Sequence, residues 1–466
     1  MSAAAAFLAR EAWSALGGDS DRLGRVTFRG DGSLPCAFPV TDLAAASMAV
    51  AALAADELVG VAHAGATAQR TREDVTVAVD RRLASFWFAS SLRPLGWQVP
   101  PLRDPLTGDY RTRDGWIRLH ANASHHRAAA RRVLGVDPDR DQARAAIAVW
   151  AGADLEQAIV EAGGCAAEMR DADAWRTHPQ GGAVRVEPLV LRDGQPSGPA
   201  PGWRLAIDRP LQGVRILDLT RVLAGPVATR FLAGLGATVL RIDPPDWNEP
   251  GAVPDVTRGK RCARLDLKTP DGRSRFAELL AEADLLVHGL RPGALDALGF
   301  GPAERLRLAP GLVDVSLDAY GWHGPWATRR GFDSLVQMSC GIADAGMRRK
   351  AVDAPVPLPV QALDHATGYL MASAALRGLT RRLTHGVATR ARLSLARTAA
   401  MLMECAADFD AMPHLPEQDA DLCATIEATP WGPARRIRTP WSIAAVDVRW
   451  ELPAAALGSS AAQWPG

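Results

Sequence analysis

The second half of this sequence predicts an α/β fold built on an open parallel sheet of Rossmann type. Three observations carry that reading. Pro, Gly and Ser crowd residues 193–210 (DGQPSGPAPGWRLAIDRP), which reads as a linker, and a new unit starts abruptly after it. VRILDLT (214–220) has the short, apolar, β-branched composition of a buried parallel strand. Strand-like and helix-like runs then alternate. RVLAGP reads as a turn, VATRFLAGLG as a helix ending at Gly236, and TVLRID (238–243) as a second strand. RCARLDL (261–267) is a third extended segment, and PDGRSRFAELLAEA an amphipathic helix. DLLVHGL (284–290) and LVDVSLDAYG (312–321) are further strands. No GxGxxG follows the first strand, so the nicotinamide fingerprint is absent.

Bulk composition sets the outer limits. A chain of 466 residues predicts two or three units, and 48% hydrophobic against 23% charged residues predicts a sizeable core rather than disorder. A net charge of +1 argues against a nucleic-acid footprint but leaves room for a local basic patch that binds a phosphorylated small molecule. Six cysteines (Cys36, Cys165, Cys262, Cys340, Cys405, Cys423) show no CxxC spacing and read as buried free thiols of a reducing cytosol. The start MSAAAAFLAREAW lacks a basic region and a cleavage signal, so no signal peptide is expected. TDLAAASMAVAALAADELVGVAHAGA is the most membrane-like segment, but Asp42, Asp56 and Glu57 argue against a span.

The two halves echo one another. FPVTDLAAASMAVAALA (38–54) and then VTVAVDRRLASFWF (75–88) place an acid before an Ala-rich helix, a strand and a second helix. LPVQALDHATGYLMASAAL (358–376) and then ATRARLSLARTAAML (388–402) do the same, which suggests duplication. Within the second copy, QALDHATGYL carries one aspartate, Asp364, at the head of a helix of apolar and small residues. A carboxylate there is costly unless it is paired or used. As structure it would cap its helix; as chemistry it would be a nucleophile.

The second half resembles the class III CoA-transferases, the CaiB/BaiF or formyl-CoA transferase family. The resemblance rests on five stretches in the family's order and spacing. They are GVRILDLTRVLAGPVATRFLAGLGATVLRIDPP (213–245), RGKRCARLDLKTPDGR (258–273), ADLLVHGLRPGALDALGF (283–300), LVDVSLDAYGWHGPWATRRGFDSLVQMSCGI (312–342) and ALDHATGYLMASAAL (362–376). In the first half, GDYRTRDGWIRLHANASHHRAAARRVLG (108–135) is similar to the family's small domain, with its hairpin, DG turn and helix. The implied fold is α/β: a Rossmann-like open parallel sheet domain plus a smaller α+β domain. The implied organisation is a partial unit over 1–200, a linker at 201–210, a large domain with the nucleophile over 211–410 and a C-terminal extension over 411–466. The family's usual form is an interlocked homodimer, so the chain resembles a truncated fusion of two subunits, an intrachain pseudo-dimer or one permuted subunit.

The resemblance makes Asp364 the covalent nucleophile that moves CoA from an acyl-CoA donor to a carboxylic acid acceptor. It implies a cytoplasmic enzyme with CoA thioester as substrate, no permanently bound cofactor, no metal, no nucleic acid and no membrane. Ala366, Thr367 and Gly368 would allow close backbone approach. In the first half Thr41 or Asp42 falls near the nucleophile position, and one working site per chain is expected. Arg221, Val222, Leu223 and Ala224, before the Gly225-Pro226 turn, would contact the CoA nucleotide, with Arg241, Leu290 and Arg330 nearby. Several positions depart from the formyl-CoA transferase pattern: Pro244 and Ala297 replace arginines, Gly289-Leu290 replaces Asn-Phe, and Arg330 replaces a lysine. Arg258, Lys260 and Arg291 are further phosphate candidates or solvated bases. His365 reads as a helix-surface residue. His125-His126 does not read as a metal motif. Trp322 and Trp326 either border an acyl pocket or pack in the core. Two rival readings stay open. An α-methylacyl-CoA racemase is disfavoured because Phe332 stands where its histidine belongs, and a non-catalytic acyl-CoA-binding subunit is disfavoured by the retention of Asp364.

Overall fold

The computed structural model describes residues 2–63, 76–101, 104–135, 139–196, 203, 205–405 and 412–465. The expected strands pair into one seven-stranded sheet. Its order is Lys260–Arg264, Thr238–Asp243, Arg215–Leu219, Leu285–His288, Val313–Asp318, Val387–Ser394 and Leu191–Pro196. All neighbours are parallel except the last pair, in which Leu191–Pro196 runs antiparallel along the edge. The apolar, β-branched strands are central and buried on both faces, as parallel strands require. The edge strand is mostly exposed.

A separate three-stranded sheet, Gly108–Arg111, Trp116–Leu119 and Ala166–Glu168, forms the small α+β body with helices Ser124–Leu134, Arg140–Ala148 and Gly152–Glu161. Its own core holds Tyr110, Ile117, Leu119, Leu155 and Ile159. The hairpin, turn and helix read from residues 108–135 are all present.

The expected boundaries do not separate independent bodies. Residues 201, 202 and 204 of the proposed linker lie outside the described residues. At its far end, however, Arg209 is buried and donates to the carbonyls of Gly234, Asp447 and Arg449. The presumed C-terminal extension is woven into the N-terminal part. Trp441–Ile443 pairs with Val77–Asp80, and Gly432–Arg436 pairs with Leu92–Pro94. Trp464 is buried in the cluster around Phe276 and Leu279. Outside the small body, apolar side chains of the N-terminal stretch and of 437–443 share the large central cluster, so these stretches fold as parts of one core.

The two Ala-rich helices, Val40–His63 and Ala362–His385, are the same length and pack against each other. Each leads on to a strand whose last residue caps the next helix. Asp80 accepts from the Leu83 N–H and Ser394 from the Arg397 N–H, which matches the duplicated pattern of the sequence. Residues 40–61 are long and apolar enough to cross a membrane, but most of that stretch is buried inside the protein. Alanine lets the helix backbones approach closely. On the far side, Gly368 lets helix Ala362–His385 settle on helix Ala224–Gly234: a Cβ at Gly368 would lie 2.4 Å from the Ala224 carbonyl oxygen. Gly368→Val is therefore expected to push the helices apart and destabilise the protein by about 1–3 kcal/mol, read as a lower urea midpoint at unchanged m-value.

Candidate active site

Asp364 sits in the first turn of helix Ala362–His385, beneath the C-terminal ends of the central strands, where open α/β sheets bind their ligands. It is only 6% exposed. Among the described residues no hydrogen bond reaches its carboxylate oxygens, so Asp364 does not cap its own helix. The cap comes from Asp333. One carboxylate oxygen of Asp333 accepts the backbone N–H groups of Leu363 and Asp364 at 2.9 and 3.0 Å, and the other accepts from Gln337. These N–H groups have no partner inside the helix.

Two carboxyls are thus held side by side in a buried place. Burial raises Asp333 to about 6 even though its backbone partners favour the charged form. Burial, and then the neighbouring Asp333, hold Asp364 well above the ordinary carboxylate range. The pair binds protons that the unfolded chain has already released. The Asp333 contribution to stability is complete below the unfolded value of 3.8 and is lost as pH rises through about 6, and Asp364 acts in the same direction.

The loop Thr220–Leu223 forms the opposite wall. Val222 has φ +65°, a conformation that costs a β-branched residue about 1 kcal/mol or more. Its N–H donates to Glu249 at 2.8 Å, and Glu249 is gripped by Arg241. Arg241 is fully buried and also binds Asp243 at 2.8 and 3.1 Å. The structure therefore gives it a role other than the expected phosphate contact: it fixes the loop through Glu249. Lys260 is corrected in the same way. It is 1% exposed, and its ammonium donates to Asp218 at 3.0 Å and to the Pro226 carbonyl at 2.9 Å. Arg258 pairs with Glu427 and lies over Trp450, and burial lowers it to about 10.

Arg221, Val222, Ala224, Leu290, Arg291 and Arg330 line a cavity of about 370 Å³ together with Asp364, His126 and Phe332. A second cavity of about 550 Å³ continues it, sharing His125, Arg221, Trp247 and Leu290. Leu223 instead lines a different cavity behind the loop. Among the described residues Arg221, Arg291 and Arg330 have no carboxylate within ion-pair distance. Arg221 lies 4.6 Å over the Trp247 ring, and Arg330 donates to the Gly163 carbonyl.

Other expectations change. His365 is 1% exposed, not a surface residue. Phe88 from the N-terminal part stacks on it at 5.0 Å, and burial lowers it to about 3. Trp326 packs among Trp175, His178, Tyr320 and Arg329 and belongs to the core rather than to the cavity wall. Trp322 is tied to the Leu393 carbonyl. Asp42 binds Arg81 and Ser2, each at 2.7 Å, so the first copy's acid is neutralised where Asp364 is not. The sequence reading missed Asp333, Gln337, Glu249 and Trp247. The spacing of Asp333 and Gln337 in FDSLVQ, four apart on one helix face, was the available signal.

Residues 211–421 match the family described as CoA-transferase family III. An acetyl-coenzyme A transferase of Hypoxylon pulicicidum is 33% identical over 44% of this chain and 37% of its own length. A probable fatty acyl-CoA transferase of Mycobacterium tuberculosis is 34% identical over 39% of this chain and 49% of its own. A succinyl-CoA:glutarate CoA-transferase of Mus musculus is 34% identical over 38% of this chain and 43% of its own. The chain thus spans less than half the length of these relatives. The matched segment contains Asp333, Asp364 and the three unpaired arginines; the small body that supplies His125 and His126 precedes it.

Asp364→Asn removes a buried charge that has no hydrogen-bond donor. It is expected to stabilise the fold at pH 7.5 by at least about 1 kcal/mol, with the gain shrinking as pH falls and vanishing only below the unfolded carboxyl's 3.8. Thermal unfolding of both proteins across that range checks it. Asp333→Asn keeps an acceptor for the two N–H groups but removes the neighbouring charge, so the Asp364 titration should move to lower pH. Carboxyl-resolved NMR titration of the two proteins reads that displacement.

Proposed function

We propose that the protein is a CoA-transferase that moves CoA from an acyl-CoA thioester to a carboxylic acid, with Asp364 as covalent nucleophile. The observation that carries this reading is a buried carboxylate without hydrogen-bond partners, facing a groove whose three unpaired arginines suit the phosphates of CoA. The Asp364 carboxylate attacks the thioester carbonyl, the C–S bond breaks, and CoA leaves as thiolate from a mixed anhydride. The thiolate then attacks the aspartyl carbonyl and releases the first acid as carboxylate. The acceptor carboxylate attacks the resulting aspartyl-CoA thioester, the C–S bond breaks with release of CoA thiolate, and a second anhydride forms. Thiolate attack on the acceptor's carbonyl completes the exchange and restores Asp364. Each step is an acyl transfer between activated partners.

The site's physics fits these steps. A raised carboxyl is a stronger nucleophile once ionised, and Leu219, Val222, Leu317, Phe332 and Leu395 shield the anhydride from water. His125 and His126 are neutral at pH 7. Burial lowers both, and His126 falls to about 3.

A racemase-like proton transfer has one observation in its favour. Neutral His126 lies edge-on to Phe332 at 5.8 Å and lines the same cavity as Asp364. Exchange of the α-hydrogen of a 2-methylacyl-CoA in deuterated water separates the two readings.

The deciding experiment incubates the protein with a panel of acyl-CoA esters, traps with hydroxylamine or borohydride, and maps the modified peptide by mass spectrometry. Modification at Asp364 is expected, with its loss in Asp364→Ala and a fall in transfer rate of at least about a thousandfold. Tight binding of CoA esters without any adduct would sink the covalent mechanism and leave a binding protein.

A further inference from the structure

The groove that holds Asp364 is uneven in charge along its length. Its inner half, the cavity that contains Asp364, is lined by Arg221, Arg291 and Arg330, none of which pairs with a carboxylate among the described residues. Its outer half, of about 550 Å³, joins the inner half along a shared wall of His125, Leu219, Arg221, Trp247, Leu290 and Ala294. The charged side chains that line the outer half alone are Arg127, Lys268, Asp243, Asp246 and Asp266. Two of them are already engaged: Arg127 binds Asp104 at 2.6 Å, and Asp243 binds Arg241 at 2.8 Å. Two acids, Asp246 and Asp266, are left facing one exposed lysine.

The loop that carries Asp246 is held in place. Arg264 donates to the carbonyls of Pro244, Pro245 and Trp247 at 2.9, 2.8 and 2.9 Å, on both sides of Asp246. That guanidinium is thereby spent on backbone and withdrawn from ligands. Asp246 itself is exposed, and its charge is near enough to act on both His125 and Arg221 at the junction of the two halves.

CoA is a linear molecule with its thioester at one end, a diphosphate in the middle and a 3′-phosphorylated adenosine at the other end. With the thioester at Asp364, the diphosphate meets the arginines, whose guanidinium groups suit phosphate oxygens. The adenosine then passes into the outer half. Its 3′-phosphate is a monoester carrying a charge of about −1.5 to −2 at pH 7. There it meets two acids and a single flexible lysine, a setting with no net attraction for an anion.

We infer that recognition of the acyl carrier ends at its diphosphate, that thioesters of dephospho-CoA, which lacks the 3′-phosphate, are taken at least as well as those of CoA, and that Asp246 sets this tolerance. The inference deepens the transferase reading and rests on it for which end of the molecule lies at Asp364.

Calorimetric titration of the intact protein with CoA and with dephospho-CoA tests it without turnover. Dephospho-CoA is expected to bind as tightly as CoA or up to about fivefold more tightly at low salt, since exposed like charges are worth no more than that. Added salt should shrink the difference. Asp246→Lys should reverse the order, so that CoA binds about threefold or more the tighter. Arg291→Gln should weaken both ligands by the same factor, because the diphosphate is common to them. Asp246 and Arg291 are both exposed, so neither variant threatens the fold. Binding of CoA at least about tenfold more tightly than dephospho-CoA to the unaltered protein would overturn the inference, as would an unchanged order in Asp246→Lys. Binding of neither ligand would overturn it together with the proposed CoA groove. Adduct formation at Asp364 from the acetyl thioesters of both carriers, measured alongside, separates the two readings. Equal binding without any adduct removes the transferase chemistry and leaves the inference standing, whereas an adduct from acetyl-CoA with a tenfold preference for CoA does the reverse.

Discussion

The site depends on a helix cap supplied from outside the helix. Asp333 closes the N-terminus that carries Asp364, and in doing so sets a second carboxyl beside the first. Capping by the helix's own residues would leave Asp364 as an ordinary first-turn acid, favoured by the helix dipole and easily ionised. The remote cap takes up the N–H donors that would otherwise steady the Asp364 charge. Burial and the adjacent acid then act without opposition. The same contact fixes where helix Asp333–Ser339 lies, and with it Phe332, which divides the groove from the cavity behind it.

A second remote contact holds the opposite wall. Val222 keeps its unfavourable backbone conformation because Glu249 accepts its N–H, and Glu249 is fixed by a buried arginine. Strain at one residue is thus stabilised by a charge network at another, which is how rigid sites hold sparsely populated backbone geometry. The loop and the capped helix face each other across the Asp364 cavity.

Much of the framework was legible in the sequence because it is local. Short β-branched runs between helical runs gave the central strands, and the Ala-rich pattern gave the two long helices. The errors share one cause. Lys260 reads as a free base, but Asp218 neutralises it from an adjacent part of the sheet. His365 reads as exposed, but Phe88 covers it from the other half of the chain. Asp333 escaped notice because its cap spans thirty residues or so of sequence. Periodicity reports what a segment does with itself, not which distant segment will neutralise or bury it.

The pairing of the two long helices also bears on how the chain is made. Helix Val40–His63 leaves the ribosome with a largely apolar surface, and its partner Ala362–His385 follows roughly 300 residues later. At synthesis rates of about 5–20 residues per second, that is a wait on the order of tens of seconds. Through that interval the first helix has only the cover of its N-terminal neighbours, helices Ala3–Ala15 and Arg81–Ala89, and the face that meets its late partner stays open to aggregation or to capture by a holding factor. A protein arranged in this way gains a large core shared by both ends of the chain, and that core can be completed only after the second helix has been made.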